Sequence, residues 1–223
     1  VSDDEAPLKA GPDEGPAFVV PGTLGDKVEL WLIRHGETEW SRSGQHTGRT
    51  DVPLTENGEA QARALRGPLA HVRPVLVLCS PRERALATAR LAGLRIDAVD
   101  DDLAEWDYGD YEGLTTNQIR ERVPGWTVWT HESPNGESIE QVSARADRVL
   151  SRAAKRLADG AVVLISHGHF SRVVGARWVG LPGRDGSRLA LGTAAPSLLS
   201  TERDVPVIDR WNMPNPASEG NAR

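Results

Sequence analysis

The stretch Val28-Glu29-Leu30-Trp31-Leu32-Ile33-Arg34-His35-Gly36-Glu37-Thr38 decides how the rest of the chain is read. Leu30 to Ile33 is an apolar run of branched and aromatic residues, the composition of a strand buried in a sheet. It ends abruptly in a fixed cation, an imidazole and a glycine. That mix suits an oxyanion. The Arg34 guanidinium offers a planar fork of donors to phosphate, Gly36 lets the backbone approach a ligand closely, and His35 can serve as nucleophile, base or ligand. A second copy of the arrangement strengthens the reading: Ala161-Val162-Val163-Leu164-Ile165-Ser166 runs into His167-Gly168-His169.

Working outward, Glu39 to Pro53 is polar and glycine-containing, a loop over the end of the first strand. Leu54-Thr55-Glu56-Asn57-Gly58 opens a helix capped by Thr55 and running to about Leu69. Val75 to Cys79 is a continuous apolar run, as expected of a central parallel strand. Ser80-Pro81-Arg82-Glu83 then predicts a helix start, with Ser80 at the cap, Pro81 at the first position and Glu83 closing a capping box. Arg84 falls in its first turn. Leu94 to Val99 reads as a weaker third strand, Asp100 to Gly113 as loop, and Thr116 to Arg122 as a short helix. Ser138 to Ala158 reads as a long amphipathic helix. Phe170 to Val179 is the helix after the second His-Gly strand, and Ser197–Thr201 with Val205–Trp211 form a closing antiparallel pair. Alternating strands and helices imply an α/β three-layer sandwich, a mainly parallel central sheet with helices on both faces. Ligands bind such sheets outside the carboxyl ends of the strands. Arg34 and His35, Arg84, and His167 all share that address.

At 223 residues the chain suits one domain with a sizeable core. Residues 1–26, rich in Gly, Pro and acids, read as a flexible arm, 27–212 as the folded domain, and 213–223 as a frayed tail. A formal net charge of −6 argues against nucleic acid as a partner. The single cysteine, Cys79, excludes an intrachain disulfide framework and a cysteine-rich zinc site, and reads as a small core residue. No apolar stretch is long enough for a bilayer, so no membrane association is expected. The acidic start lacks a signal-peptide pattern, which makes a cytoplasmic location the expectation. A sheet edge leaves a homodimer open, with no apolar stripe to announce it.

Two arginines and two histidines at strand ends would make a positive pocket on a negative protein, fitted to a compact phosphoryl dianion. No Walker loop is present, and Asp100-Asp101-Asp102 reads as a solvated turn rather than a metal site. No metal and no cofactor is expected. A neutral imidazole is then the best available acceptor for the phosphoryl group, and a second, protonated imidazole would steady the transition state beside the arginines. Glu105, beside Trp106 and bracketed by Tyr108 and Tyr111, is a candidate proton donor because an aromatic surround favours the neutral carboxyl. Asp107 competes for that role. His169 reads as a capping or supporting residue, His46 as a candidate substrate contact, and His71 and His131 as surface. Trp40, Trp106 and Trp129 are candidates for a pocket mouth.

Leu32 to Thr38, Ser80-Pro81-Arg82-Glu83-Arg84-Ala85, Glu105 with Tyr108-Gly109-Asp110-Tyr111-Glu112-Gly113, and Ser166-His167-Gly168 together resemble the histidine phosphatase superfamily, the phosphoglycerate-mutase-like family. The resemblance covers residues 28 to about 210, which makes 27–212 a histidine phosphatase domain. It implies His35 as the nucleophile that becomes phosphohistidine. Arg34, Arg84 and His167 would complete the phosphate pocket, helped by the Gly168 backbone, and Glu105 would be the proton donor. Ser41, Thr47 and Gly48 fall in the family's substrate loop. Within the family, the 40–48 and 102–113 stretches look most like bacterial acid phosphatases and the sedoheptulose-1,7-bisphosphatase group. The mutases carry a longer insertion with paired arginines, whereas Gly113 to Glu137 is short here. The implied activity is metal-independent hydrolysis of a small phosphorylated metabolite such as a sugar phosphate. A phosphoglycerate mutase or a non-catalytic phospholigand-binding module are the alternatives.

Overall fold

Strand β1 (Leu30–Arg34) turns Leu30 and Leu32 into one apolar cluster and Trp31 and Ile33 into another, the period-two alternation of a pleated strand buried on both sides. The computed structural model describes residues 24–25 and 27–218. In it β1 lies inside a six-stranded sheet. The others are β2 (Pro74–Cys79), β3 (Ala98–Val99), β4 (Ala161–Ser166), β5 (Pro196–Glu202) and β6 (Val205–Arg210), in the order β3-β2-β4-β1-β5-β6. The pairs β3–β2, β2–β4 and β4–β1 are parallel, and β5 is antiparallel to both its neighbours. The α/β three-layer expectation therefore holds.

One layer is made by α5 (Ile139–Leu157) and α6 (Gly168–Trp178), the other by α2 (Glu56–Ala64) and α3 (Glu83–Leu91). Helix α5 begins with a capping box in which Ser138 and Gln141 satisfy each other's backbone N–H groups. Its buried face, Val142, Ala146, Val149, Leu150, Ala153 and Leu157, repeats at helical spacing. Phe170, Val173, Val174 and Trp178 of α6 join the same cluster. On the opposite face Leu65, Ala85 and Ala89 cover Trp31, Ile33, Val77 and Val163. Two short helices, α1 (Glu39–Ser43) and α4 (Thr116–Arg120), belong to segments over the carboxyl ends of the strands.

Several sequence expectations are corrected. Helix α2 ends at Ala64, where the ladder gives way to i→i−3 bonds from Arg66 N to Arg63 O and Gly67 N to Ala64 O, ahead of Pro68, which has no N–H to donate. Helix α3 starts at Glu83 with Arg82 at its cap and no side-chain cap bond. The third strand shrinks to Ala98–Val99, since Asp97 caps the Val77 N–H with its carboxylate at 2.9 Å and replaces the ladder there. The tail expected to fray from 213 is instead held at Asn215, which is 2% exposed and donates to Gln61 O and Ala194 O. At the other end Leu24 packs on the core and Gly25 O accepts from Thr201 Oγ1 at 2.6 Å. Residues 1–23, 26 and 219–223, on which the arm and the end of the tail fall, lie outside the described residues. No helix among the described residues is long and apolar enough to cross a membrane.

Leu164, fully buried at the centre of β4, tests how tightly this core is packed. Leu164→Ala is expected to lower stability by about 2–5 kcal/mol, read as a lower urea midpoint with an unchanged slope.

Candidate active site

The parallel pairing of β1 with β4 sets Arg34 opposite Ser166. His35 N continues the ladder, donating to Ser166 O at 3.0 Å. Both His-Gly strand ends therefore emerge side by side, and the His35 and His167 rings meet edge to face with centroids 5.1 Å apart. In front of them is a cleft of about 230 Å³, lined by Arg34, His35, Glu105 and Gly168 at one end. A larger groove of about 450 Å³ lies between Pro74, Leu94 and Arg95, at the opposite end of β2, and contains no candidate for catalysis. Cavity size therefore does not select the site; the chemistry of the lining does.

His35 Nδ1 lies 2.7 Å from Gly36 O. A carbonyl only accepts, so Nδ1 carries the proton and Nε2 holds the lone pair. Burial first, then Arg84 and Arg34, pushes the His35 imidazole well below its ordinary value, so the ring is neutral and nucleophilic. Arg34 donates to Leu191 O at 2.6 Å, and its buried Nε has no partner. The Arg34 guanidinium lies against Gly168, where a Cβ would come within 3.3 Å of Cζ. A side chain at 168 would press on that cation.

Arg84 and His167, both fully buried, stand behind His35 rather than on the cleft wall. Arg84 Nε donates to His167 Nδ1 at 3.2 Å, and Nη1 and Nη2 donate to the carbonyls of Thr47, Gly48 and Thr50. His167 Nε2–H then points to Ser80 Oγ at 2.7 Å, and the same oxygen accepts the Arg82 N–H at 3.3 Å ahead of α3. With no anion beside it, burial, then Arg84, holds the His167 pKa well down, in keeping with an Nδ1 that accepts from Arg84. A phosphoryl dianion beside it is the charge that favours the imidazolium.

Glu105 is 8% exposed and accepts three backbone N–H groups, those of Trp106 (2.9 Å), His169 (3.0 Å) and Phe170 (2.8 Å). Two of these belong to the first turn of α6, whose cap residue His167 makes no side-chain cap bond. The carboxylate thus caps that helix from a distant loop. Aligned backbone donors thus surround it, with Tyr108 on the same cleft wall. Asp107, the competing acid, is absent from the cleft wall and pairs with Arg49 at 2.7 Å.

The outer wall is polar. Ser41, Thr47, Gln45, His46, Thr116, His169 and Arg172 line it. Ser41 Oγ also closes the capping box of α1 with Thr38. Gly48, expected to touch substrate, instead gives its N–H to the Glu112 carboxylate at 3.0 Å. His169 shares a 2.6 Å hydrogen bond with the Tyr108 hydroxyl and is part of the wall. Burial pushes both His169 and Tyr108 toward their neutral forms. Sequence reading missed Arg172, although its i, i+3 spacing from His169 puts the two on one helix face. Its Nε and Nη2 donate to Gly186 O and Ser187 O, and Cζ sits 4.6 Å above Trp129. Trp129 therefore backs the wall, while Trp106 is core, as is Cys79, whose thiol burial pushes up to about 12. Among the described residues no three His, Cys, Asp or Glu side chains converge as a metal-ligand set.

The depressed histidines have a consequence for acid stability. His46, desolvated by burial, lies at about 4, while His35, His167 and His169 are all held well below 6.5. Below the unfolded value near 6.5 the unfolded chain takes up protons that the folded chain does not, so stability falls with pH through that window. Ring-proton NMR is expected to show these four imidazoles neutral at pH 6, with His46 titrating near 4. Titration of all four near 6.5 would contradict the burial argument.

The comparisons with known proteins agree with this geometry. Residues 30–214 match the model of the histidine phosphatase superfamily, branch 1. An acid phosphatase from Mycobacterium tuberculosis is 49% identical over 197 residues, covering 86% of this chain and 97% of its own. Sedoheptulose 1,7-bisphosphatase from Saccharomyces cerevisiae is 36% identical over 182 residues, covering 67% of each chain. The solved structure of a Mycobacterium tuberculosis open reading frame superposes with a TM-score of 0.82 at 48% identity, covering 84% of this chain and 98% of that one. Such a chain is a phosphoric monoester hydrolase. With its two His-Gly strand ends, its buried arginines and a loop carboxylate capping α6, the chain belongs to branch 1 of the histidine phosphatase superfamily.

Proposed function

We propose that this phosphatase hydrolyses compact phosphorylated metabolites, sugar phosphates above all, through a phosphohistidine on His35 and without a metal ion. The observation that carries the reading is the fixed tautomer of His35. Its Nδ1–H is bound to Gly36 O, and burial beside two guanidiniums keeps Nε2 unprotonated. In the first step Nε2 attacks phosphorus and the P–O bond to the alcohol breaks. Glu105 passes a proton to the departing oxygen. Water then cleaves the P–N bond with Glu105 as base, which returns His35 to its neutral form and releases phosphate.

Charge on the phosphoryl oxygens is met by Arg34 and by the Gly168 end of α6, with the Arg84–His167 pair behind. At about 230 Å³ the cleft falls below the roughly 300–1,000 Å³ of drug-sized sites, which favours a compact substrate. Hydroxyl, amide and imidazole groups along the outer wall suit a polyol. Arg172 supplies a further cation there, where a second anionic group would bind.

His35→Ala is expected to abolish phosphate release and phosphoenzyme formation from p-nitrophenyl phosphate, with turnover of the parent protein surviving chelator. Turnover retained by His35→Ala would overturn the mechanism. Arg172→Ala is expected to raise KM for a sugar bisphosphate roughly tenfold or more, the scale of one charge-assisted bond, and to raise it less for p-nitrophenyl phosphate. An equal rise for both would remove Arg172 from substrate selection.

A further inference from the structure

Helix α5 grips the start of the Glu105 loop with Arg148 and Arg152, which pair with Asp100 and Asp102, and reaches its centre with Arg145, which touches none of the cleft. Arg145 is 12% exposed and uses every donor it has. Nε and Nη2 form a bidentate pair with Glu137, both at 2.7 Å. Nη1 donates to Asp102 O at 2.6 Å and Ala104 O at 3.0 Å, and Nη2 also reaches Glu105 O at 3.4 Å. Three carbonyls of the loop that carries Glu105 thus converge on one guanidinium.

The same side chain also reaches the other half of the Glu105 setting. Its Cζ stacks 4.6 Å above the Phe170 ring, and Phe170 N–H holds Glu105 Oε1. Glu137, fixed by Arg145, secures the loop from its far side. Its carboxylate accepts Asp107 N–H at 3.0 Å, and its own backbone pairs with Asp107 O and the Trp106 indole. The loop from 102 to 107 has no strand or α-helix of its own beyond one short turn at Asp101–Leu103. Its conformation is therefore set by what holds its carbonyls.

We propose that Arg145, oriented by Glu137, is the positioning residue for Glu105 in proton transfer to the leaving group. The inference rests on the reading of Glu105 as the proton donor. It is specific to Arg: a lysine has one ammonium and three donors, and cannot span two carboxylate oxygens and three carbonyls at once.

Leaving-group dependence tests it, because kcat/KM in a ping-pong reaction contains only the steps up to alcohol release. p-Nitrophenolate leaves without a proton, whereas glycerol from glycerol 3-phosphate needs one. The readout is the kcat/KM for p-nitrophenyl phosphate divided by that for glycerol 3-phosphate. In Arg145→Lys this ratio is expected to rise about tenfold or more over the parent protein, a part of the roughly 10²–10⁴ that general acid catalysis contributes. Glu137→Gln, which loosens the guanidinium while leaving it in place, is expected to raise the ratio in the same direction, and it carries the test if Arg145→Lys does not fold. Glu105→Gln is the reference and should raise the ratio most. A raised ratio in Glu105→Gln with an unchanged one in the folded Arg145→Lys or Glu137→Gln variants would overturn the positioning role alone. An unchanged ratio in Glu105→Gln would overturn Glu105 as the donor, and the inference with it.

Discussion

Everything at the site depends on one parallel pairing. β1 and β4 are far apart in sequence, yet they lie side by side in register, with Arg34 against Ser166. Because both strands run in the same direction, both His-Gly turns open at the same edge of the sheet. An antiparallel pair would place them at opposite ends. β2 runs parallel on the other side of β4, so Ser80 and Arg84 arrive at the same edge. The strand order explains why this is the working edge: the chain moves outward from β1 to β2 and β3, then returns to insert β4 between them. The crevice opens where the winding reverses.

Placing two guanidiniums in a desolvated site is costly, and the structure shows how the cost is offset. Arg84 meets carbonyls on three loop residues and a neutral imidazole nitrogen. Arg34 keeps one buried Nε without a partner. The histidines respond by losing their charge, since an imidazolium beside two arginines and away from water is disfavoured twice over. The result is a neutral imidazole beside two fixed cations, the combination that the proposed attack on a phosphoryl dianion requires.

The architecture and the gathering of Arg34, His35, Arg84 and His167 at one edge of the sheet were legible in the sequence, and the reason is local. Strand residues, His-Gly ends and the Thr55 cap are written within a few positions of where they act. What was not legible depends on partners distant in the chain. Ser80 has the spacing of a helix cap, but α3 starts at Glu83, and His167, brought alongside by β4, also bonds its hydroxyl. Glu105 sits among aromatic residues in sequence, while its donors come from the first turn of α6. Gly48 matches a substrate loop, yet Glu112 takes its N–H. Asp100 and Asp102 read as a solvated turn, but Arg148 and Arg152 on α5 bind them, and Asp102 is held below its usual range chiefly by the Arg148 hydrogen bond.

These distant partners follow one pattern. The groups proposed to meet substrate sit at strand ends, at a helix start or on loops, and the loops are fixed by charged side chains that rigid elements supply. Arg84 on α3 holds the carbonyls of residues 47–50, while Glu112 holds the N–H groups of Gly48 and Thr50 from the other side. Arg145 on α5 does for the Glu105 loop what Arg84 does for the 47–50 loop. Irregular backbone carries unpaired donors and acceptors that must be satisfied wherever water is excluded. A guanidinium can satisfy several carbonyls at once in a fixed plane. Arginine therefore has two roles here that composition does not distinguish. Arg34 and Arg172 line the cleft, while Arg84 and Arg145, off its wall, fix the loops around it.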